Sequence, residues 1–365
     1  MLPASRSCAA IGTLTPRQTE PSPAELARQL GIPSGQLVQL ARNENPLGCS
    51  PQAHGAVLAG LNRLHRYPDT AGTVLKQTLA TRFGLSPAHI VLGNGSCDLL
   101  DRVSRTFLSS EHSAVYAQYG PAAFPRAIRA MGATAIEVRA SDYGHDLMAM
   151  LAAIRSDTRL VLIANPNDPT GTLCRPGDIV DFLERCPPEV LVVLDEAYVE
   201  FVPAERRVDS LGLLHRFPNL LLCRTLSHAY GLASLRIGFA LCSPELAEQL
   251  DRLGPPFPLN GLAEAAALAA LDDAEFLAAT RRNNEAGLAQ IGTALLGLGL
   301  PFIPGNASFL CFHVGDGALL DQFLRERGVL VRLLTDHGLP DSLRVSIGLP
   351  AENARFIEVM NEALA

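Results

Sequence analysis

From about residue 75 onward, short and nearly continuous apolar runs alternate with stretches of helical spacing, and no other property of the sequence restricts its fold as tightly. "HIVLGNGS", "SAVYAQYG", "TAIEVRA", "TRLVLIANPND", "EVLVVLDEAYVEF", "NLLLCRTLS" and "LRIGFALCS" read as strands. "GTVLKQTLATRFG", "CDLLDRVSRTFLS", "AAFPRAIRAMGA", "DLMAMLAAIRSD" and "RPGDIVDFLERCP" read as the helices among them. Strands with a wet face would alternate polar and apolar residues. These barely do, so both faces are buried, and the strand-helix order predicts an α/β fold: a mostly parallel seven-stranded sheet covered by helices.

After "GPPFPLNGLAEAAALAALDD" the pattern shifts to long helices, followed by "SFLCFHV", "GVLVRLL" and "SLRVSIG" as strands, a smaller α+β unit. At 365 residues the chain exceeds a single ordinary core. The expected division is an N-terminal arm (1–36), a large domain (61–259) and a small domain (37–60 with 260–365). The arm closes with the helical "PSPAELARQLGI", and "QLVQLARNENPLGCSP" reads as a short strand running into a turn. Its first residues lack the continuous apolar stretch of a signal peptide.

A net charge of -7 without a basic stripe argues against nucleic acid or an anionic membrane as partner, and no apolar run is long enough to span a bilayer. A small molecule is the expected ligand. The eight cysteines are scattered, with no C-x-x-C pair or zinc-like spacing. They fit reduced thiols in a cytoplasm, with no metal site.

Ligands of such sheets gather beyond the carboxyl ends of strands. "GNGSCDLL" follows one strand and opens a helix, placing the N–H groups of Gly95, Ser96 and Cys97 where an anion binds well. "NPNDPTG" follows a second strand and "DEAY" a third. Asp195, buried at a strand end, would keep a ring nitrogen protonated, and Tyr198 is spaced to reach a phenolic oxygen. Ser227 and Arg236 bracket His228, a hydroxyl and a guanidinium suited to a phosphate dianion.

With "NENPLG", "RYPD", "GNGS", "NPNDPTGT", "DEAYVEF", "RTLSHAYGLASLRIG", "GVLVR" and "LRVSIGLPAEN" in this order, the chain resembles the fold-type-I aminotransferases, closest to the histidinol-phosphate aminotransferase group. The resemblance implies pyridoxal 5'-phosphate or pyridoxamine 5'-phosphate as cofactor. It implies that Gly95, Ser96, Cys97, Ser227 and Arg236 hold the cofactor phosphate, and that Tyr119 stacks on its ring. Asp195 would pair with the ring nitrogen, and Tyr198 and the residue at 168 with the ring oxygen. Tyr67 would reach the phosphate of a neighbouring subunit in a homodimer, and Arg332 and Arg344 would clamp an anionic amine substrate.

The departures from that pattern cluster at the cofactor. His228 stands where the family has its Schiff-base lysine, and imidazole, not being a primary amine, cannot form the link. It can still move protons. Asp168 stands where an asparagine is usual, so an ionised carboxylate there would repel a phenolate or take up a proton. Cys97, Ser234 and Pro258 also differ. The chain's single lysine, Lys76, falls in an amphipathic helix as a solvated-face residue. The frame thus fits an aminotransferase-like enzyme with the cofactor held noncovalently and His228, Asp195 and Tyr198 as catalytic groups. Two other readings share it: a different reaction with His228 as base, and a cofactor-binding protein without turnover.

Overall fold

The computed structural model describes Leu14 and residues 22–365, so most of the expected arm lies outside the described residues. Its last part is the helix α1 (Pro23–Leu30), which starts where the Ser22 hydroxyl accepts the Glu25 N–H at 3.1 Å and stops at Gly31 in the left-handed region. β1 (Val38–Gln39), α2 (Pro51–Gly60) and α3 (Thr73–Phe83) lead into the main sheet.

The predicted alternation follows as β2 (Ile90–Gly93), α4 (Ser96–Phe107), β3 (Ser113–Ala117), α5 (Ala123–Ala130), β4 (Thr134–Val138), α6 (Leu147–Ala152) and β5 (Thr158–Ala164). It continues through α7 (Pro176–Arg185), β6 (Leu191–Asp195), β7 (Leu220–Thr225) and β8 (Gly238–Leu241), with two helices that were not expected, α8 (Ser210–Arg216) and α9 (Pro244–Arg252). The seven strands form one sheet in the order β2-β8-β7-β6-β5-β3-β4. All neighbours are parallel except those of β8, which runs against both β2 and β7.

Successive residues of a strand face opposite sides of a sheet, and here each side has its own apolar cluster. Leu92, Val192, Leu222 and Leu241 belong to one, while their neighbours Val91, Val193, Leu221 and Ala240 belong to the other. This double burial is the reason the strands lack polar alternation.

The remainder is α10 (Gly261–Asp272), α11 (Ala274–Gly297), β9 (Phe302–Ile303), β10 (Phe309–His313), α12 (Gly317–Glu326), β11 (Val329–Leu330), β12 (Arg332–Leu334), β13 (Leu339–Ser346) and α13 (Pro350–Leu364). "GVLVRLL", expected as one strand, is two. β11 pairs with β1, whereas β12 joins the four-stranded antiparallel sheet β12-β13-β10-β9. Leu310, Phe312, Val345, Phe356 and Val359 form the core between this sheet and its helices. Among the described residues, no helix is long and apolar enough to cross a membrane.

Candidate active site

The reversal of β8 decides where the site lies. β5, β6 and β7 end at the same sheet edge, and because β8 is antiparallel its first residue, Gly238, stands beside Thr225 of β7 and Gly93 of β2. That edge therefore collects the Gly95 turn, Asp168, Asp195, Ser227, His228 and Arg236.

At the phosphate end, Arg236 donates from Nη1 to Ser227 Oγ at 3.4 Å and to the Ala233 carbonyl at 3.0 Å. The Ser227 hydroxyl also accepts from Thr225 Oγ1 at 2.9 Å. Gly95 has φ +89, and a Cβ there would come within 2.3 Å of Arg236 Nη2, so the guanidinium lies directly against this turn. A Cβ on Gly238 would meet the Ser96 nitrogen at 2.5 Å, which is how closely the turn and the start of β8 approach. Gly95 donates its own N–H back to the Gly93 carbonyl at 2.8 Å. Ser96 and Cys97 open α4, whose first-turn N–H groups have no acceptor within the helix.

Asp195 is buried at the end of β6 and accepts the Ala197 N–H at 3.1 Å. Burial pushes its pKa up to about 7; that hydrogen bond opposes the rise, and the carboxylates of Asp168 and Glu196 add to it. The influences on it include no cation.

A second cluster joins both sheets. The Tyr198 hydroxyl donates to Asp168 Oδ2 at 2.7 Å and accepts from Asn43 Nδ2 at 2.8 Å. Burial, and then the charge of Asp168, hold the Tyr198 phenol well above its ordinary pKa. Arg344, on β13, donates from Nη1 to Asp168 Oδ1 and from Nη2 to the Ala41 carbonyl at 3.0 Å. The expected repulsion at 168 is met by this arginine: burial opposes ionisation of Asp168, and Arg344 with Tyr198 outweighs it, so the pKa falls.

His228 stacks on Tyr198, with ring centroids 4.4 Å apart and planes at 19°. Its Nδ1 is 2.9 Å from the Asn43 carbonyl oxygen. A carbonyl only accepts, so Nδ1 carries the hydrogen and Nε2 of the neutral ring is the proton acceptor. Burial lowers the His228 pKa; the Asn43 hydrogen bond and the charge of Asp168 oppose the fall, and the charges of Arg344 and Arg236 add to it. Asn43 was not among the residues expected at the site. It adopts φ +54, donates its backbone N–H to Ser346 Oγ at 2.9 Å, and so links the loop after β1, β13, Tyr198 and His228.

The other expected residues lie at varying distances from this centre. Tyr119, at φ +60, passes its carbonyl to Asn167 Nδ2 at 2.9 Å and its ring to Tyr143, 6.0 Å away. Arg332 pairs with Asp336 on the small sheet's flank. Tyr67 is 83% exposed and stacks on Phe257 at 4.6 Å. Lys76, on α3, pairs with Asp251 of α9 at 2.8 Å and takes no part in the cluster.

Residues 35–360 match the family model described as aminotransferase class I and II. The chain is 47% identical over 361 residues to histidinol-phosphate aminotransferase 1 of Dechloromonas aromatica (strain RCB), covering 99% of each. It is 47% identical to histidinol-phosphate aminotransferase of Methylobacillus flagellatus, covering 97% of this chain and 96% of that protein. Among solved structures, it is similar to histidinol-phosphate aminotransferase from Sinorhizobium meliloti in complex with pyridoxal-5'-phosphate. That match has a TM-score of 0.87 at 29% identity and covers 99% of this chain and 98% of the other. The chain belongs to the class I and II aminotransferases and, within them, to the histidinol-phosphate aminotransferases.

Proposed function

We propose that this chain is a pyridoxal-phosphate-dependent enzyme of the histidinol-phosphate aminotransferase type, acting on an amino-phosphate or amino acid, whose cofactor is held noncovalently and whose proton-moving group is His228. The observation that carries the reading is the Gly95 turn packed against Arg236, with Ser227 alongside. A guanidinium, a hydroxyl and a helix N-terminus converge there, a donor set that fits a phosphate dianion. Asp195 fits the other end of the cofactor, because a buried carboxylate with no cation acting on it is complemented by a protonated ring nitrogen.

Ser96, Cys97, Ser227 and Arg236 would hold the phosphate, Asp195 would hold the ring nitrogen, and Tyr198 would serve the ring oxygen. When bound, the cofactor supplies an electron sink for charge developing next to the amine nitrogen. His228 Nε2 then accepts or returns a proton, its ring fixed by Asn43 on one side and Tyr198 on the other. Nothing at 228 forms a covalent tether, so the pyridoxal and pyridoxamine forms rely on the same contacts.

The test is a spectroscopic titration with each form, followed by dialysis. Both forms are expected to bind in the micromolar range and to be lost on dialysis, and Arg236→Ala is expected to weaken both by about 10- to 100-fold. Wild-type protein that binds neither form would end this reading.

We also propose a homodimer in which Tyr67 reaches the neighbouring subunit's phosphate. Tyr67 is exposed, and near it in sequence Leu58, Leu61, Leu64 and Val74 are 53%, 45%, 67% and 62% exposed. Exposed apolar residues concentrated in this way are expected to be covered by a partner. In analytical ultracentrifugation the protein should sediment as a dimer; a concentration-independent monomer with unaltered cofactor binding would refute the arrangement.

A further inference from the structure

Both arginines expected to grip the substrate already have a carboxylate from their own chain, but the two pairs differ in burial. Arg332 and Asp336 are 32% and 52% exposed in their side chains. Solvent-exposed pairs of this kind contribute little. Arg344 and Asp168 are 9% and 25% exposed. The Arg344 guanidinium lies over the Phe309 ring at 5.1 Å, its Nη2 is used by the Ala41 carbonyl, and its Nε is buried without an acceptor.

Asp168 is equally committed. Its Oδ1 accepts from Arg344, and its Oδ2 from the Tyr198 hydroxyl at 2.7 Å and from Asn43 Nδ2 at 3.3 Å. An external anion reaching Arg344 would leave the part-buried Asp168 beside a second negative charge with its counter-ion shared. An asparagine at 168 would offer Arg344 a neutral oxygen and leave its charge for the ligand. The carboxylate supplies the counter-charge permanently, and it is tethered in place, whereas a ligand has to be captured from solution.

We propose that Asp168 is a specificity-determining residue that fills the anion seat of Arg344, so that the substrate amine brings at most one anionic group, received at Arg332, and turns an uncharged part toward Arg344. This rests on the reading that the two arginines face the substrate of a cofactor-dependent enzyme. It separates amines with a single anionic group from those with two, such as amino dicarboxylates.

The experiment is calorimetric titration of propionate and succinate into protein saturated with pyridoxamine 5'-phosphate, whose phosphate occupies the cradle. Its own binding isotherm is measured first and reports on the cofactor reading independently; if it fails, the same titrations on cofactor-free protein still test Asp168. Wild type should bind succinate no more than about twofold to threefold tighter than propionate, since the seat at Arg344 is already filled by Asp168. Asp168→Asn should bind succinate about tenfold or more tighter than wild type, and Asp168→Asn combined with Arg344→Gln should lose the gain. Wild type that prefers succinate by tenfold would overturn the proposal without any variant. So would an Asp168→Asn protein with unchanged succinate affinity.

Discussion

His228→Lys is expected to turn a protein that releases pyridoxal phosphate on dialysis into one that keeps it permanently after borohydride reduction, with the added mass at residue 228. Position 228 is half-buried, and the influences that lower the His228 pKa, desolvation first and the charges of Arg344 and Arg236 after it, would act on an ammonium in the same direction. Desolvation would lower the pKa of a lysine there and so enlarge its neutral, nucleophilic fraction, although Asp168 acts against this. The phosphate contacts of Ser227 and Arg236 and the carboxylate of Asp195 are unaltered by the substitution. Wild type provides a clean comparison, because its single lysine is ion-paired between α3 and α9. Mass mapping of the reduced proteins is the measurement. An adduct at Lys76 in wild type would mean that another lysine has taken the role, and a variant that binds cofactor without labelling at 228 would mean that the side chain there points elsewhere.

The second large effect concerns stability in the absence of cofactor. Asp195 has a folded-state pKa of about 7 against an ordinary 3.8, so between these values the folded protein keeps a proton that the unfolded chain has released. Its contribution is complete below pH 4 and disappears as pH rises through 7, a swing of about 4 kcal/mol. Asp195→Asn removes this dependence. The stability of the variant minus that of wild type, from denaturant unfolding at each pH, should therefore rise by about 4 kcal/mol between pH 4 and pH 8. Saturating pyridoxamine phosphate should flatten the difference by supplying the ring nitrogen as a partner. A difference independent of pH in the cofactor-free proteins would show that Asp195 is ionised in both states.

Both predictions concern residues that could be read from the chain, because a buried parallel strand announces its end with a change from an apolar run to Gly, Asp or Ser. Asp195 was legible for that reason, whereas His228 was read from the motif around it. What escaped was set by partners distant in sequence. α2 buries only Ala53 and shows no apolar stripe to mark it as a helix. The break inside "GVLVRLL" arises because β11 and β12 join different sheets, a matter of neighbours and not of local propensity. The direction of β8 is equally silent, since an apolar run reads the same in either orientation. At the site, "NENP" was visible as a motif, yet nothing local says that Asn43 would bond to residues 155 and 303 positions away. Its one local signal is chemical: asparagine tolerates positive φ better than most residues. The pairing of Asp168 with Arg344, 176 positions apart, is likewise a product of the fold alone.

The reversed strand also bears on how such a site can change over evolutionary time. Thr225 and Gly238 are register partners, so the segment from 226 to 237 is a loop pinned at its base by an antiparallel ladder, and it carries the phosphate-holding Ser227 and Arg236 together with residue 228. The loop is held by that ladder and by the Thr225 hydroxyl, which donates to the Ile237 carbonyl at 3.1 Å, contacts that do not involve the side chain at 228. Reactivity and anchorage are thus physically separable within one short piece of chain. A lineage can exchange the reacting group there without rebuilding the grip on the cofactor, and the two properties are free to diverge at different rates.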